Sequence, residues 1–354
     1  MKILEVRYQN KAKNSLRASK KATPNQIVKM ILLMACSGIG AGFISGAEIF
    51  QYFSKFGNNF FVVLMLFCVT YFLVLLKIFK IKIFKPKKFK MYKNNFLKLK
   101  NTFKTKNRIK SFLIFLNLSI ISGTMFSGLK NVLKELFFNN YLIFSLIALI
   151  LIIVCTAVGI NLLSKLTGLV FVFVLIFSIY LFGLNFEVNQ VSHTLKNSVI
   201  AAGFSGVVYF FMNVLQLKSI YNSMGVNLTK KQGIFVAVII PLVLSFVIYS
   251  FSKFLLNHLA LTSLNMPIFS YFKVKGGVVF GVYVSMFLLA IFSALITALI
   301  GLKDIFNKKL NQKFMSSFLA VIVALIISFI NFKTLIVWLY PVVAMINFVI
   351  FVFL

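Results

Sequence analysis

The sequence predicts an all-α polytopic membrane protein with ten transmembrane helices. Three observations carry this expectation. Of the 354 residues, 60% are hydrophobic and only 12% charged. Apolar runs of about 20 residues, each long enough to cross a hydrocarbon core of roughly 30 Å as a helix, recur along the chain. The basic residues gather on alternate connections between those runs. Such a composition excludes a soluble fold.

In order, the expected spans are 27 to 55, 59 to 79, 111 to 134, 140 to 160, 166 to 186, 198 to 220, 233 to 256, 277 to 301, 315 to 332 and 334 to 354. Lys and Arg number 38 against 5 acidic residues, a net charge of +33, and 30 of those 38 fall on or immediately beside the N-terminal tail and every second connection. Cytoplasmic loops carry such an excess of Lys and Arg, so the chain is expected in the plasma membrane, multi-pass, with both termini cytoplasmic. The organisation that follows is a basic tail (1–26), a first unit of five helices (27–186) containing a basic cytoplasmic loop (80–110), an external connection (187–197) and a second unit of five helices (198–354). The tail has no short apolar core or small-residue cleavage site, so it does not read as a signal peptide.

Aromatics interleave with the basic loop at Lys85-Pro86-Lys87-Lys88-Phe89-Lys90. A single-strand nucleic-acid binder can look similar. Next to a membrane span the simpler reading is adhesion to anionic headgroups, at about 1 kcal/mol per basic side chain, and no nucleic-acid partner is expected. Cys36, Cys68 and Cys155 all lie inside apolar runs without metal-site spacing, and no metal site is predicted. His193 and His258 fall on external connections without a carboxylate or Cys partner in motif spacing.

The first span is too long to be one straight helix: 29 helical residues would extend roughly 44 Å. Its centre, Ser37 to Glu48, holds glycines at 38, 40, 42 and 46, and each weakens a helix by about 1 kcal/mol relative to alanine. A break in mid-membrane is tolerated where the backbone lines a protein-enclosed cavity. Five spans later, Ala202-Gly203-Phe204-Ser205-Gly206 is a milder interruption, followed by Asn213 and Gln216. Five-helix units have opposite orientations, so interrupted first members in both halves match an inverted repeat around a midplane site.

The run Gly38-Ile39-Gly40-Ala41-Gly42-Phe43-Ile44-Ser45-Gly46-Ala47-Glu48-Ile49 resembles the first-span signature of the YkvI-like membrane proteins, a branch of the amino acid, polyamine and organocation transporter superfamily. Weaker likenesses lie at Gly206 to Asn213, Ser293 to Gly301 and Leu339-Tyr340-Pro341. The resemblance implies a LeuT-type five-plus-five inverted repeat with helices 1 and 6 broken, and alternating access for a small solute coupled to sodium or protons. This chain departs from the pattern at Ala47, where the signature usually has Gln, and at Ala294, where sodium-coupled relatives tend to carry a second hydroxyl beside Ser293. Thr297, one turn beyond Ser293, can face the same side.

Glu48 is the only one of the five acids placed in the membrane interior, which makes it a functional candidate by default. The competing reading is a capping box in which Ser45 starts the second half-helix and Glu48 reaches back to a backbone amide. Carbonyls of one half-helix and amides of the other would converge near Gly38, Gly40, Gly42, Phe43 and Ser45, suiting a cation at one end and a carboxylate at the other. Gly42 and Gly46 also have the spacing of a helix-packing motif. Tyr209 and Asn213, four apart on one face of the sixth span, are candidate solute contacts or interhelical bonds. Glu48, Ser293 and Thr297 are the candidates for a coupling ion, Na+ or H+, with no other cofactor expected. Ser122, Gly123, Thr124 and Ser127 read as a packing face, and Tyr340-Pro341 as a kink or helix start. Nucleophile elbow, zinc motif, P-loop and spaced carboxylate pair are all missing, so an enzyme is not expected. The function expected is secondary active transport of a small amine-containing or zwitterionic solute. The alternatives are a non-transporting ligand sensor on the same fold, or a structural membrane protein.

Overall fold

A computed structural model of the protein describes residues 22–81, 100–137, 163–184, 198–310 and 312–353, together with 140, 143, 149, 150, 152 and 153. Most of the tail, most of the basic loop, the greater part of the expected span 140 to 160 and the connection 187–197 lie outside the described residues, as do Cys155 and His193. Among the described residues the regular structure is helical, and seven helices are long and apolar enough to cross a membrane. This is the architecture of an all-α membrane protein.

The first expected span is divided. It comprises α1 (Pro24–Cys36), α2 (Ala41–Ile44) and α3 (Ala47–Tyr52). Thr23 and Gln26 form a reciprocal capping box at the start of α1, with Pro24 at the first helical position. The helix stops at Ser37, whose hydroxyl and amide both turn back to carbonyls of the last turn. Between α2 and α3 the backbone passes through Gly46 at φ +83°, a conformation that a side chain disfavours.

A short 3-10 turn (Ser54–Asn59) leads into α4 (Phe60–Ile78); α5 (Lys100–Leu136), α6 (Leu163–Leu184), α7 (Val199–Met224) and α8 (Lys230–Asn257) follow. Beyond a second 3-10 turn (Leu259–Ser263) come α9 (Pro267–Lys275), α10 (Gly277–Leu310), α11 (Lys313–Ser328) and α12 (Phe332–Thr334). A π-helical turn (Leu335–Leu339) and α13 (Tyr340–Phe353) close the described chain. The stretches Pro24–Cys36 and Phe314–Ser328 are apolar helices shorter than a full span.

The sixth expected span differs from its prediction. α7 runs as one helix over all 26 residues, without the expected break. Its glycines serve close approach instead: a Cβ on Gly206 would strike the Val63 backbone carbonyl, and one on Gly203 the Leu66 side chain. α4 and α7 are therefore packed backbone to backbone, as small residues allow between membrane helices. The sequence signal of a glycine pair is the same for this packing as for a break.

At its N-terminal end α1 is stitched to the α7–α8 connection. The Ala22 amide donates to the Asn227 carbonyl (3.2 Å), and the Gln232 side-chain amide donates to the Ala22 carbonyl (3.1 Å). Gln232 also completes a capping box with Thr229 at the start of α8, so one side chain both caps α8 and holds α1.

Candidate functional site

The broken first span sits at the centre of the packing, and its own orphan backbone groups explain its partners. Short half-helices leave most of their end carbonyls without an intrahelical donor. Around the break these carbonyls are met one by one. Ser45 Oγ donates to the Gly42 carbonyl (3.0 Å), Tyr283 Oη of α10 to the Ile44 carbonyl (3.0 Å), and the Ile268 amide of α9 to the Ser45 carbonyl (3.0 Å). At the far end of α3, Ser205 Oγ of α7 donates to the Tyr52 carbonyl (2.8 Å).

Glu48 lies in the first turn of α3 and is only 3% exposed. Its carboxyl takes a hydrogen bond from Tyr209 Oη (3.2 Å to Oε2), with the Tyr340 hydroxyl beside it. Among the described residues Glu48 makes no ion pair, whereas Glu135 pairs with Lys273, near the ends of α5 and α9. The capping box expected between Ser45 and Glu48 is not formed. Ser45 Oγ accepts the Ala47 amide (3.3 Å), but the cap position is Gly46 and the Glu48 carboxyl lies over Gly42, bonded by Tyr209. Gly42 makes room for it, since a Cβ at Gly42 would overlap the Glu48 carboxyl. Gly42 and Gly46 thus do not form a common helix-packing face: one faces a side chain of its own span, and the other makes the turn.

Tyr340 reaches the site through an irregularity. In the π-helical turn its amide donates five residues back, to the Leu335 carbonyl, and Pro341 has no N–H to offer the Ile336 carbonyl. The hydroxyl of Tyr52 fills that vacancy (3.1 Å to Ile336 O). The Tyr52 ring also packs on Tyr209 (centroids 5.5 Å apart), and Phe53 meets Tyr209 edge-on at 5.0 Å.

On the other side of Tyr209 a cavity of about 10 Å³ is lined by Gly38, Phe43, Phe67, Tyr209 and Asn213, among others. That is room for about one water molecule. Asn213 packs against Gly38, where a Cβ would approach its side-chain nitrogen to 3.1 Å. A second cavity, of about 50 Å³, lies between Ala47, Gln51, Thr262, Lys333 and Ile336.

The structure thus brings together Gly38, Gly42, Phe43, Ser45, Glu48, Tyr209 and Asn213 of the expected site. Gly40 instead lies against Met125, whose sulfur accepts the Ala41 amide (3.3 Å). Ser293 and Thr297 are not joined to this cluster by any hydrogen bond among the described residues: their hydroxyls donate to Ala290 and Ser293 carbonyls of their own helix (3.0 and 2.7 Å). Tyr52, Tyr283 and Tyr340 are site residues that the sequence did not mark as such. Only the Tyr340-Pro341 dipeptide carried a local signal, that of a helix irregularity. No family model and no curated protein matches the chain.

Proposed function

We propose that the protein is a secondary active transporter of a small amine-containing or zwitterionic solute, working by alternating access about the break in its first span. The observation that supports this most is Glu48: a carboxyl buried at a helix break, hydrogen-bonded by Tyr209 with the Tyr340 hydroxyl beside it, and with no cationic partner among the described residues. Left charged and unpaired in membrane, such a group costs several kcal/mol, so its retention suits a site that receives a cation or proton in turn. A solute ammonium would approach Glu48, with the faces of Tyr209, Phe43 and Phe67 beside it adding cation–π attraction. Asn213 and the backbone of the glycine-rich break would receive the solute's polar end.

A cavity of about 10 Å³ is too small for an amino acid, so this conformation corresponds to a collapsed state that must open to load. In this reading the chain lies in the plasma membrane with both termini cytoplasmic and its basic loop on anionic headgroups. The test is flux in proteoliposomes over a panel of amines and amino acids, for the wild type and Glu48→Gln. Accumulation by the wild type and its loss in the variant are expected. Solute-induced thermal stabilisation without any flux would overturn transport in favour of a ligand sensor, and a variant matching the wild type in flux and affinity would remove Glu48 from the site.

A further inference from the structure

We infer that the C-terminal ends of α4, α7 and α13 together form a binding site for the headgroup of an anionic phospholipid, built from Lys77, Lys218 and Lys80 around the Phe351 ring. The site does not depend on the transport reading, and it is separate from the basic loop that follows α4.

Lys77 is the only charged residue of α4 and Lys218 the only one of α7, each within two turns of the C-terminal end of its helix. A lone lysine at the end of a span ordinarily lays its stem on apolar surface and holds its head in water. Two of them on neighbouring helices repel, and nothing in that habit makes them converge. These two converge. Lys77 Nζ lies 4.6 Å and Lys218 Nζ 5.9 Å from the centroid of a single ring, that of Phe351 in the last turn of α13. The ammonium groups are therefore no farther apart than the sum of those two distances. The ring is held in turn by Phe211 of α7, which packs on it at 6.4 Å and meets Phe348 edge-on at 4.9 Å.

A ring face attracts cations without neutralising them. Among the described residues no acid does so either: Glu48 lies at the break of the first span, Glu135 pairs with Lys273, and Asp304 makes no ion pair. Two exposed cations thus share one ring with their charge uncompensated.

Lys80 brings a third cation to the same helix end. There α4 closes in a Schellman motif, with the Ile81 amide donating to the Leu76 carbonyl (2.9 Å) and the Lys80 amide to the Lys77 carbonyl (3.1 Å). The residue after the cap must then be left-handed, a place that favours glycine. Lys80 occupies it at φ +56°, and no other residue except glycine has a positive φ among the described residues. Ile81 fixes the chain beyond, since a Cβ on Gly233 of α8 would overlap its side chain. A lysine stands where glycine would fold better, and what it adds is charge.

The position selects a lipid over a soluble anion. The basic-residue bias assigns this end of the three helices to the cytoplasm, where the facing leaflet carries the anionic lipids, and basic pockets between helices on that side take their headgroups. Phe348 and Val352 of α13 flank Phe351 in sequence and are exposed, so acyl chains find apolar surface beside the cations. A soluble phosphate would gain nothing from that surface. The helix ends themselves offer carbonyls, which repel an anion, so the attraction comes from the lysine side chains.

The experiment is native mass spectrometry and thermal unfolding of the purified full-length protein in micelles doped with phosphatidylglycerol or with phosphatidylcholine. The variants are Lys77→Gln with Lys218→Gln, Lys80→Gly, and as a control Lys130→Gln with Lys253→Gln, whose lysines lie each alone over Phe329 and Tyr249. The wild type is expected to retain phosphatidylglycerol in preference to phosphatidylcholine and to unfold at a higher temperature with it. The first double variant should lose one bound phosphatidylglycerol and most of that rise, while the control keeps both. Lys80→Gly should unfold no lower than the wild type in phosphatidylcholine yet keep less of the rise, and it holds the test decisive if the double variant fails to fold. Equal retention by the wild type and the first double variant, equal retention of the two lipids, or the same loss in the control would overturn the site. Displacement of the bound lipid by inorganic phosphate would overturn the lipid in favour of a soluble anion.

Discussion

The hydroxyl of Tyr52 donates to the carbonyl of Ile336 across 3.1 Å, tying the half-helix that carries Glu48 to the turn that presents Tyr340. The bond exists because a π turn and Pro341 together leave that carbonyl without a backbone donor. Two residues 284 positions apart thereby fix the distance between the acid and one of its neighbours.

Tyr52→Phe keeps the ring packing but strands the Ile336 carbonyl, 1% exposed, without a donor. Leaving a buried acceptor unpaired costs about 1–3 kcal/mol, so the variant should unfold at lower temperature than the wild type in the same detergent. An unchanged unfolding temperature would mean that another donor replaces the hydroxyl.

Gly46→Ala should be destabilising by about 1–2 kcal/mol, the penalty for a side chain in the left-handed region. The added methyl would also approach the Ile268 side chain to 2.9 Å, so the loss should exceed that of alanine at a helical glycine. Thermal unfolding with membrane insertion checked separately measures it, and a neutral outcome would contradict the φ of +83°.

Gly42→Ala acts differently. Its methyl falls on the Glu48 carboxyl, a movable group, so the fold should survive while the bond from Tyr209 is lost. The expected outcome is normal insertion and yield, with solute affinity or flux lowered at least as strongly as in Glu48→Gln. Retained activity would place the working conformation of Glu48 elsewhere.

Topology follows from the basic-residue bias. A single cysteine at Asn95 should react only with a reagent applied from the cytoplasm, and one at Asn265, which is exposed, only from outside. Labelling of both from the same side would reverse the assignment of one connection.

What the sequence could tell was set by locality. The break in the first span was legible because glycine at 38, 40, 42 and 46 lowers helix stability whatever surrounds it. Glu48 was legible because a lone acid in an apolar run is costly in any fold. The continuity of α7 was not, since Gly203 and Gly206 are explained only by Leu66 and Val63 on another helix. Tyr52 and Tyr283 were hidden for the same reason: each acts through a partner far away in the chain, and a tyrosine in an apolar run has no local pattern to give it away, while Pro341 marked only a helix irregularity at Tyr340. Whether Glu48 caps its own half-helix turned on where its carboxyl lies, which depends on Gly42 leaving the space empty.

The close seat of Gly206 on the Val63 carbonyl has a mechanical consequence. Two helices in backbone contact cannot slide without lifting apart, so α4 and α7 behave as one beam, and Tyr209 is mounted on it. The first span beside that beam is segmented, interrupted at Ser37–Gly40 and again at Ser45–Gly46. Under the alternating access proposed above, movement is expected between the two and not within the beam. Spectroscopic rulers spanning α4 and α7 should keep one length in every condition, while those from α1 to α7 should take two.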